Sequence, residues 1–549
     1  MKAVRFFLIS LFLFSSFNLF SIPYDMILTG DPVLDDLRYL SVESGNSVLS
    51  FIPPFAPHEI QIFLNSLDAS LLSPSALQAY YRIEKRLNPA APINISDDFF
   101  TFFVNINSTL ETRIRFNSDI SWYPQNTKTP AVLSLPLRFF FSESVTLYLE
   151  PMYAMDPVDY KKLDYFGVNI PIDSYYPCDL NIPLRAFMSV GGSFWNFQIG
   201  RDRLSYGTGQ NGNLAIMDNP DYHDFMRLSL FSKFFKYSFL VSHLPFAIHD
   251  KDNITFPNIN DFEHDYLDKT TQRYLYLHRI DISFFNKVSL GLIEGALVGN
   301  SSPELRFLNP MSVYHSFFSW WNYDEWQKKY YHMVGSLFGV EVNWNIADSL
   351  AFYGQFIMNE FATEHELAIN PEQPPNALGY MTGLRCAHSF NSWGSLFYVE
   401  FFYTNPYLHI LSSPFASFIH MRYLGWAPDR YSYNYIGYPR DTIAIYAGAD
   451  FFKNDIIKLS ALFAWISGGQ HNKDGVKWDY GKGYPFNLEK TPSGIVENKY
   501  ILSFAVQCKL NSYLTIKGDI SGIYSLNNAH IYNANTFGGQ TGLSVNFCY

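Results

Sequence analysis

The sequence predicts an all-β membrane barrel of about 18 antiparallel strands, with a small N-terminal periplasmic α-helical domain. Three observations lead to this fold class. Aromatic residues make up 18% of the 549 residues and charged residues only 16%, a low charged fraction for a soluble enzyme. Apolar and polar residues alternate from about residue 99 onward. The connections between the alternating segments are alternately short and long.

The N-terminus has the features of a secretory signal peptide. Lys2 and Arg5 precede an almost uninterrupted apolar run from Phe6 to Phe20, and Leu19 with Ser21 fits a cleavage site. We therefore expect residues 1–21 to be removed on export. The rest of the sequence contains no run of about 18 uncharged apolar residues. An exported chain of this kind is expected to be periplasmic, secreted or a membrane β-barrel.

Residues 22–98 have the periodicity of a few short helices. Asp31-Pro32, Pro57 and Ser73-Pro74 are helix-start signals, and apolar residues follow each of them at helical spacing. The prolines and small residues from Asn88 to Pro92 end the pattern. These features predict a compact helical domain over residues 22–98.

Residues 99–549 have the period of β-strands. Ile114 and Phe116 share one parity, while Arg113 and Arg115 share the other. A soluble sandwich can alternate in the same way, so the connection lengths decide between the two. Short turns recur, for example at 142–144, 232–233 and 453–455, and long loops are expected at 155–184, 202–224, 244–272, 299–331, 405–441 and 468–498. Short turns at one rim and long loops at the other are typical of an outer-membrane barrel with extracellular long loops.

The last segment agrees with a barrel. Apolar residues at every second position from Thr541 end at the aromatic Tyr549. Such a strand resembles the signal read by the outer-membrane insertion machinery, which we expect as a partner together with outer-membrane lipids. An exposed edge strand in a soluble protein would be an aggregation hazard, whereas barrel closure removes the edge.

Several function classes are excluded or disfavoured. The net charge of −11 gives no basic surface for nucleic acid. The GxGxxG from Gly207 to Gly212 lies in a long loop of a β-only region, so it predicts tight loop folding at positive φ and no nucleotide site. The two glutamates of Glu364-His365-Glu366 would share one face of a strand with the histidine opposite, which disfavours a metal site. No enzyme signature or cofactor is predicted.

Two aromatic loops are candidates for saccharide contact, because sugars stack their C–H faces on aromatic rings and bond their hydroxyls to polar side chains. The residues are Trp320, Trp321, Tyr323, Asp324, Trp326, Trp478, Asp479 and Tyr480. The alternative is an interfacial belt, in which Trp and Tyr lie at the level of the lipid headgroups.

A set of short motifs resembles the Wzi family of capsule-assembly outer-membrane proteins. It comprises Gly200, Arg201, Asp202, Gly207, Gly209, Gly212, Asn213, Asp218 and Asn219, then Phe307-Leu308-Asn309-Pro310 with Tyr314-His315, and Tyr353-Gly354-Gln355-Phe356. The resemblance implies an eighteen-stranded barrel with a periplasmic helical bundle, acting as a lectin that attaches capsular polysaccharide to the cell surface. Strand parity places Arg201 and Arg203 on the lipid-facing side, and Asp202 on the lumen side.

The leading hypothesis is therefore a non-enzymatic outer-membrane lectin for capsular or other surface polysaccharide. A channel or transporter for small solutes or hydrophobic molecules is the alternative, because eighteen strands can enclose an aqueous lumen. A surface adhesin for host proteins is a third possibility. Conductance and polysaccharide binding distinguish the first two.

Overall fold

A computed structural model describes residues 24–88, 91–97, 100–117, 129–141, 144–155, 166–171, 183–247, 270–299, 302–315, 334–361, 363–369, 376–410, 416–423, 431–470 and 490–549. The predicted signal peptide lies outside this part of the chain. So do both aromatic loops proposed for saccharide contact.

Three helices form the N-terminal segment: α1 Val33–Glu43, α2 Pro57–Leu64 and α3 Pro74–Leu87, with a 3-10 turn at Ala69–Leu71. The last two begin at the prolines that the sequence singled out, and the Oγ of Ser73 accepts the backbone N–H of Ala76 at 3.3 Å. The first begins one residue later than predicted, with Pro32 as its N-cap. Two further short helices are α4 Leu305–Leu308 and α5 Glu364–Ile369, and a second 3-10 turn is Asn528–His530. None of the helices that the structure describes is long and apolar enough to cross a bilayer.

The strands, in chain order, are β1 Ile93–Ser96, β2 Phe100–Val104, β3 Asn107–Phe116, β4 Leu133–Ser134, β5 Leu137–Phe141, β6 Val145–Leu149, β7 Met152–Tyr153, β8 Phe166–Val168, β9 Ala186–Gly191, β10 Trp195–Asp202, β11 His223–Phe231, β12 Phe235–His243, β13 Phe246–Ala247, β14 Thr270–Thr271, β15 Arg273–Phe284, β16 Val288–Gly299, β17 Val334–Ala347, β18 Leu350–Glu360, β19 Ala377–Phe390, β20 Trp393–Thr404, β21 Ile419–Tyr423, β22 Tyr431–Tyr435, β23 Thr442–Lys453, β24 Ile457–Gly468, β25 Glu497–Lys509, β26 Leu514–Leu526 and β27 Thr536–Cys548. β13 with β14 and β21 with β22 are separate two-stranded ladders. The other 23 strands form one sheet.

The sheet has more strands than the approximately 18 that the sequence predicted. The alternation of the sequence predicts continuous strands at 99–116, 132–142 and 145–154. The structure interrupts each of them: β2 from β3 at Asn105-Ile106, β4 from β5 at Leu135-Pro136, and β6 from β7 at Glu150-Pro151. Proline lacks the N–H that a ladder needs, which explains two of these breaks. The short strands β1 and β8 add the remaining two.

All pairings in the large sheet are antiparallel. From β9 to β12, from β15 to β20 and from β23 to β27, each strand pairs with the next, and β12 with β15 and β20 with β23 pair across the long connections. The last strand, β27, pairs with β3, with Val545 opposite Leu110. The strand β2 pairs with β5, β5 with β6, and β6 with β9.

The two faces of the sheet differ in what covers them. One face, here called the inner face, carries Glu341 and Glu400 and packs against the helices and long connections. The other, the outer face, exposes apolar side chains at alternate positions, for example Phe504 and Leu543. An apolar outer face is the pattern of a barrel in lipid. The helices lie beside the short turns: the N–H of Ser349 donates to the carbonyl of Val42 at 2.9 Å.

Candidate functional site: the loop folded onto the inner face

The glycine motif lies at the end of β10 and in the connection to β11. This connection, residues 203–222, corresponds to the long loop predicted at 202–224. The structure folds it onto the inner face, and we call it the inner loop. Every residue from Tyr206 to Met217 except Gln210 is buried. A buried loop must satisfy its backbone polar groups with protein partners, so the contacts of this loop define the site.

Glu400 is the main polar anchor of the inner loop. Its carboxylate, fully buried on β20, accepts the backbone N–H groups of Gln210 at 2.6 Å and Asn211 at 3.0 Å. It also accepts the Asn211 Nδ2 at 2.8 Å and the hydroxyl of Tyr353 at 2.8 Å. Arg385 supplies the opposing charge 3.8 Å away and donates to the carbonyl of Thr208. Hydrogen bonds to an ionised acceptor are stronger than neutral ones, so this carboxylate holds the loop firmly.

The side chain of Asn213 holds the turn of the inner loop together and bonds it to β18. Its Oδ1 accepts the N–H of Gly209 at 2.9 Å and the Nε2 of Gln355 at 2.8 Å. The Oε1 of Gln355 accepts the N–H of Leu214 at 2.9 Å. Gly207 adopts φ +134°, and a Cβ there would lie 1.8 Å from the Gln355 amide. The expectation that the glycines allow tight folding at positive φ is thus confirmed at this position.

The charged residues of the motif pair with neighbouring side chains. Asp202 points to the inner side, as its parity predicted, and is fully buried 2.9 Å from the Nε of Arg185. Arg201 has the outer parity and forms a two-bonded pair with Asp224 at 2.7 and 2.8 Å.

Arg203 does not follow the lipid-facing parity predicted for it. It lies beyond the end of β10, so strand parity no longer applies, and its guanidinium turns to Asp218, with one bond of 2.8 Å. The same guanidinium lies against Gly30 of the N-terminal segment.

The N-terminal segment also occupies the inner face. Asp25 is nearly buried and accepts bonds from Arg86 at 2.8 Å and from Arg138, on β5, at 2.7 Å. Arg227, on β11, donates to the carbonyls of Ile52 at 3.4 Å and Pro54 at 2.5 Å. These bonds hold the N-terminal segment against β5 and β11 of the sheet.

The connection between β20 and β23 completes the filling. Ile436 and Tyr438 belong to the same apolar cluster as the inner loop, and the N–H of Tyr438 donates to the carbonyl of Asn213 at 2.9 Å. His409 is fully buried in this connection. Burial, together with the positive charge of Arg440, lowers the pKa of His409 to about 3. The imidazole is therefore neutral at physiological pH.

The filling is one-sided. On β25 and β26, inner-face side chains near the short turn, such as Gln507, Lys517 and Asp519, are half-exposed or exposed, whereas Ile501 and Ile523 farther along the same strands are buried. A cavity of about 310 Å³ lies between α1 with the residues before it and the inner loop, with Arg38, Arg203 and Asp218 in its lining. Both of these places on the inner face are polar and accessible to water.

The structure separates the residues that the sequence grouped as one motif. Asn309 and Pro310 lie on the outer face, where the carbonyl of Pro310 accepts the hydroxyl of Tyr237. Asn219 lies at the half-buried end of the inner loop. Trp320, Trp321, Tyr323, Asp324, Trp326, Trp478, Asp479 and Tyr480 are outside the described residues.

Sequence reasoning missed Glu400 and Arg385. Both are polar residues at inner parity within otherwise apolar strands, and that signal could have marked them as buried anchors. Glu364–Ile369 forms a helix, where the sequence was interpreted as a strand. Within the described ranges, no group of three or more His, Cys, Asp or Glu side chains gathers to hold a metal ion.

Comparison with known proteins identifies the fold. No protein-family model and no curated protein sequence matches the chain. The structure is similar to Wzi from Escherichia coli, described as an outer-membrane protein involved in group 1 capsule assembly and a carbohydrate-binding β-barrel. The TM-score is 0.56 at 13% identity, over 94% of this chain and 98% of that one. Pseudomonas aeruginosa OprD gives 0.38 at 9% identity, over 82% and 95% of the two chains. The chain has the fold of an outer-membrane β-barrel.

Proposed function

We propose that the chain is a Wzi-like outer-membrane protein that binds a capsular or other surface polysaccharide and attaches it to the cell surface without enzymatic action. The observation that carries the proposal is the filling of the inner face. The inner loop, anchored at Glu400, and the N-terminal segment occupy the side of the sheet that a porin leaves to water. A barrel filled in this way is suited to presenting its outer loops to a ligand. The carbohydrate binding described for Wzi supports the same function.

The proposal includes the placement of the chain. A signal peptide over residues 1–21 exports it, the helical domain 22–98 is periplasmic, and residues 99–549 form a closed barrel in the outer membrane with extracellular long loops. Eighteen spanning strands follow if each interrupted pair counts as one strand and the short β1 and β8 are set aside. The pairing of β27 with β3 supports closure.

The proposed saccharide contacts are the aromatic and acidic residues of the two long loops, with Trp320 and Trp478 as their centres. Aromatic rings can stack on the C–H face of a sugar, and a neighbouring carboxylate can accept hydrogen bonds from its hydroxyls. In the proposed placement these loops are extracellular, where a capsule lies. Outer-membrane lipids and the insertion machinery are the other partners, and nucleic acid is not one.

Binding of the purified, detergent-folded protein to the surface polysaccharide of its own organism tests the proposal. We expect saturable binding that Trp320→Ala and Trp478→Ala weaken. Trp344→Ala is the matched control, because Trp344 is an exposed tryptophan on the outer face of β17, away from the long loops. Absence of binding by the folded wild type, or equal loss in all three variants, would contradict the lectin function.

One observation favours the alternative, a channel for small solutes. Polar inner-face side chains such as Gln507 and Lys517 are exposed to water beside the filling, and a solute path would run along them. Planar-bilayer recordings decide this point. Steady conductance by the wild type that Lys517→Glu changes in ion selectivity would support the channel, and absence of conductance would support the lectin.

A further inference from the structure

Part of the outer face is covered by the chain itself. Residues 302–315, which include α4 and which we call the outer flap, lie over β12, β15 and β16. On β16, the outer-face residues Ala296 and Val298 are 0% and 1% exposed, whereas Leu292 on the same face is 41% exposed. The outer face of β15 changes in the same way between Tyr276, 1% exposed, and Ile280, 38% exposed. The covered half is the half nearer the long loops.

Beneath the flap lies a polar pair at lipid-facing parity. His278 and Glu294 are directly opposite each other on β15 and β16, with 2.8 Å between Nε2 and Oε2. Ionisable side chains that face hydrocarbon carry a large free-energy penalty. Here the flap provides partners: the N–H of His315 donates to the Glu294 Oε1 at 2.9 Å, and the Tyr314 ring stacks on the His278 ring with centroids 4.4 Å apart. The pair therefore anchors the flap.

The flap satisfies much of its own backbone locally. The N–H groups of Phe307 and Leu308 both donate to the carbonyl of Glu304 at 3.1 Å, and the N–H of Met311 donates to the Oδ1 of Asn309 at 3.1 Å. The hydroxyl of Tyr314 donates to the carbonyl of Phe307 at 3.0 Å. Pro303 and Pro310 have no N–H to satisfy. Irregular backbone at membrane depth needs such internal partners.

The side of the flap that faces away from the sheet is apolar at its most exposed positions. Leu305 is 86% exposed and Met311 82%. They continue the exposed apolar band formed below them by Ile280 and Leu292 on the strands. The flap's half-exposed charges, Arg306 and Glu304, pair with each other at 2.7 Å, and the apolar positions match acyl chains.

We propose that the outer flap is a lipid-contacting element, in which Leu305 and Met311 face the acyl chains of the outer leaflet and the His278–Glu294 pair holds the flap against the barrel wall. This inference goes beyond polysaccharide binding and uses only the outer-membrane placement from the proposed function. It assigns the flap to the outer leaflet because the covered half of the wall adjoins the long, extracellular connections. The flap thereby converts a polar patch of the wall into a lipid-compatible one.

Spin labels test the proposal in the full-length chain reconstituted in vesicles of phosphatidylcholine, after Cys178, Cys386, Cys508 and Cys548 are replaced by serine. A label at Met311→Cys is compared with one at Leu292→Cys on the lipid-facing strand and one at Lys233→Cys in an exposed short turn. We expect the ratio of oxygen to nickel-chelate collision rates at Met311 to match that at Leu292 and to exceed that at Lys233 about tenfold, because the hydrocarbon excludes the chelate.

The outcomes distinguish failure of the flap proposal from failure of the proposed outer-membrane placement. A water-exposed Met311 label with a lipid-exposed Leu292 label would overturn the flap proposal alone. Water exposure of both labels would overturn the outer-membrane placement. Shielding of Met311 from both reagents would mean that a second protein copy covers the flap, which also overturns the lipid contact.

A second variant tests the anchor. Glu294→Leu keeps the wall apolar but removes the bonds to His278 and His315, so we expect the Met311 label to gain access to the nickel chelate severalfold. Leu292→Ala, on the same strand and face but outside the flap, is the control and should leave the label unchanged. An unchanged label in a folded Glu294→Leu variant would show that the pair does not hold the flap.

Discussion

The carboxylate of Glu400 accepts the backbone N–H of Asn211 at 3.0 Å, although 189 residues separate them. A single buried acid on β20 thus fixes a loop that leaves the sheet at β10. The bond matters for packing because the docked loop covers part of the inner face.

Glu400→Gln should loosen the inner loop. A glutamine presents an NH₂ where the carboxylate accepted a donor, so at least one buried N–H loses its partner, at about 1–3 kcal/mol. The undocked population should rise roughly 5- to 150-fold. The rate of proteolytic cleavage within residues 203–222, measured by mass spectrometry, reports this. Gln507→Ala, on the open side of the inner face, should leave the cleavage rate unchanged, and equal rates in both variants would refute the anchoring role.

Gly207→Ala should destabilise the folded barrel. The added Cβ would lie 1.8 Å from the Gln355 Nε2 and 2.4 Å from the Asn213 Oδ1, at φ +134°. Backbone strain of this kind costs about 1–3 kcal/mol, and displacing Gln355 adds to it. The midpoint of urea unfolding in detergent measures the effect. Gly518→Ala serves as the control, because its nearest contact would be an ordinary 3.7 Å; a matching drop there would point to a general glycine effect.

His409 should make stability depend on pH. Its pKa is about 3 in the folded protein and about 6.5 in the unfolded chain. Below pH 6.5 the unfolded chain therefore binds more protons, and stability falls as the pH drops from 6.5 toward 3. Between pH 8 and pH 5 the loss is about 2 kcal/mol. Urea unfolding at several pH values measures it.

The variant for this experiment is His409→Asn, which tolerates the positive φ of 69° at this position. It should remove most of the loss between pH 8 and pH 5. His365→Asn, at an exposed histidine, should preserve the wild-type dependence. An unaltered pH dependence in His409→Asn would assign the effect to other groups.

Asp25→Ala should release the N-terminal segment. It leaves Arg138, 11% exposed at its side chain, without the carboxylate that it shares with Arg86. Removing one partner of a buried ion pair costs about 3–5 kcal/mol. Protease cleavage within residues 24–88 should therefore accelerate while the strands remain protected. Asp68→Asn, on an exposed turn of the same segment, should not change it, and an intact segment in Asp25→Ala would contradict the role of this bond.

The strands were predictable because their periodicity is local. The alternation of apolar and polar residues predicts a strand at 350–359, and the structure has β18 at Leu350–Glu360. The turn expected at 453–455 separates β23 from β24. The interruptions at Pro136 and Pro151 were missed, although proline is a local signal against a ladder. The strand β8 was missed because its pairing with β3 is long-range and its three residues carry no period.

The inner loop and the outer flap could not be placed from their own residues. Burial of a loop depends on partners far away in sequence, such as Glu400 for Gln210. A periodic pattern within the loop cannot predict such partners. The sequence does contain one indirect sign of the flap. His278 and Glu294 occupy lipid-facing positions of β15 and β16, whose other lipid-facing residues are mostly apolar. Polar residues at such positions indicate that something covers them.

The N-terminal segment contacts strands from both the early and the late parts of the chain. Asp35 pairs with Lys458, which lies 423 residues later. Asp25 pairs with Arg138, which lies 113 residues later. The contact between Asp35 and Lys458 can therefore form only after β24 has joined the sheet. The first and last parts of the chain thus depend on each other for their native packing.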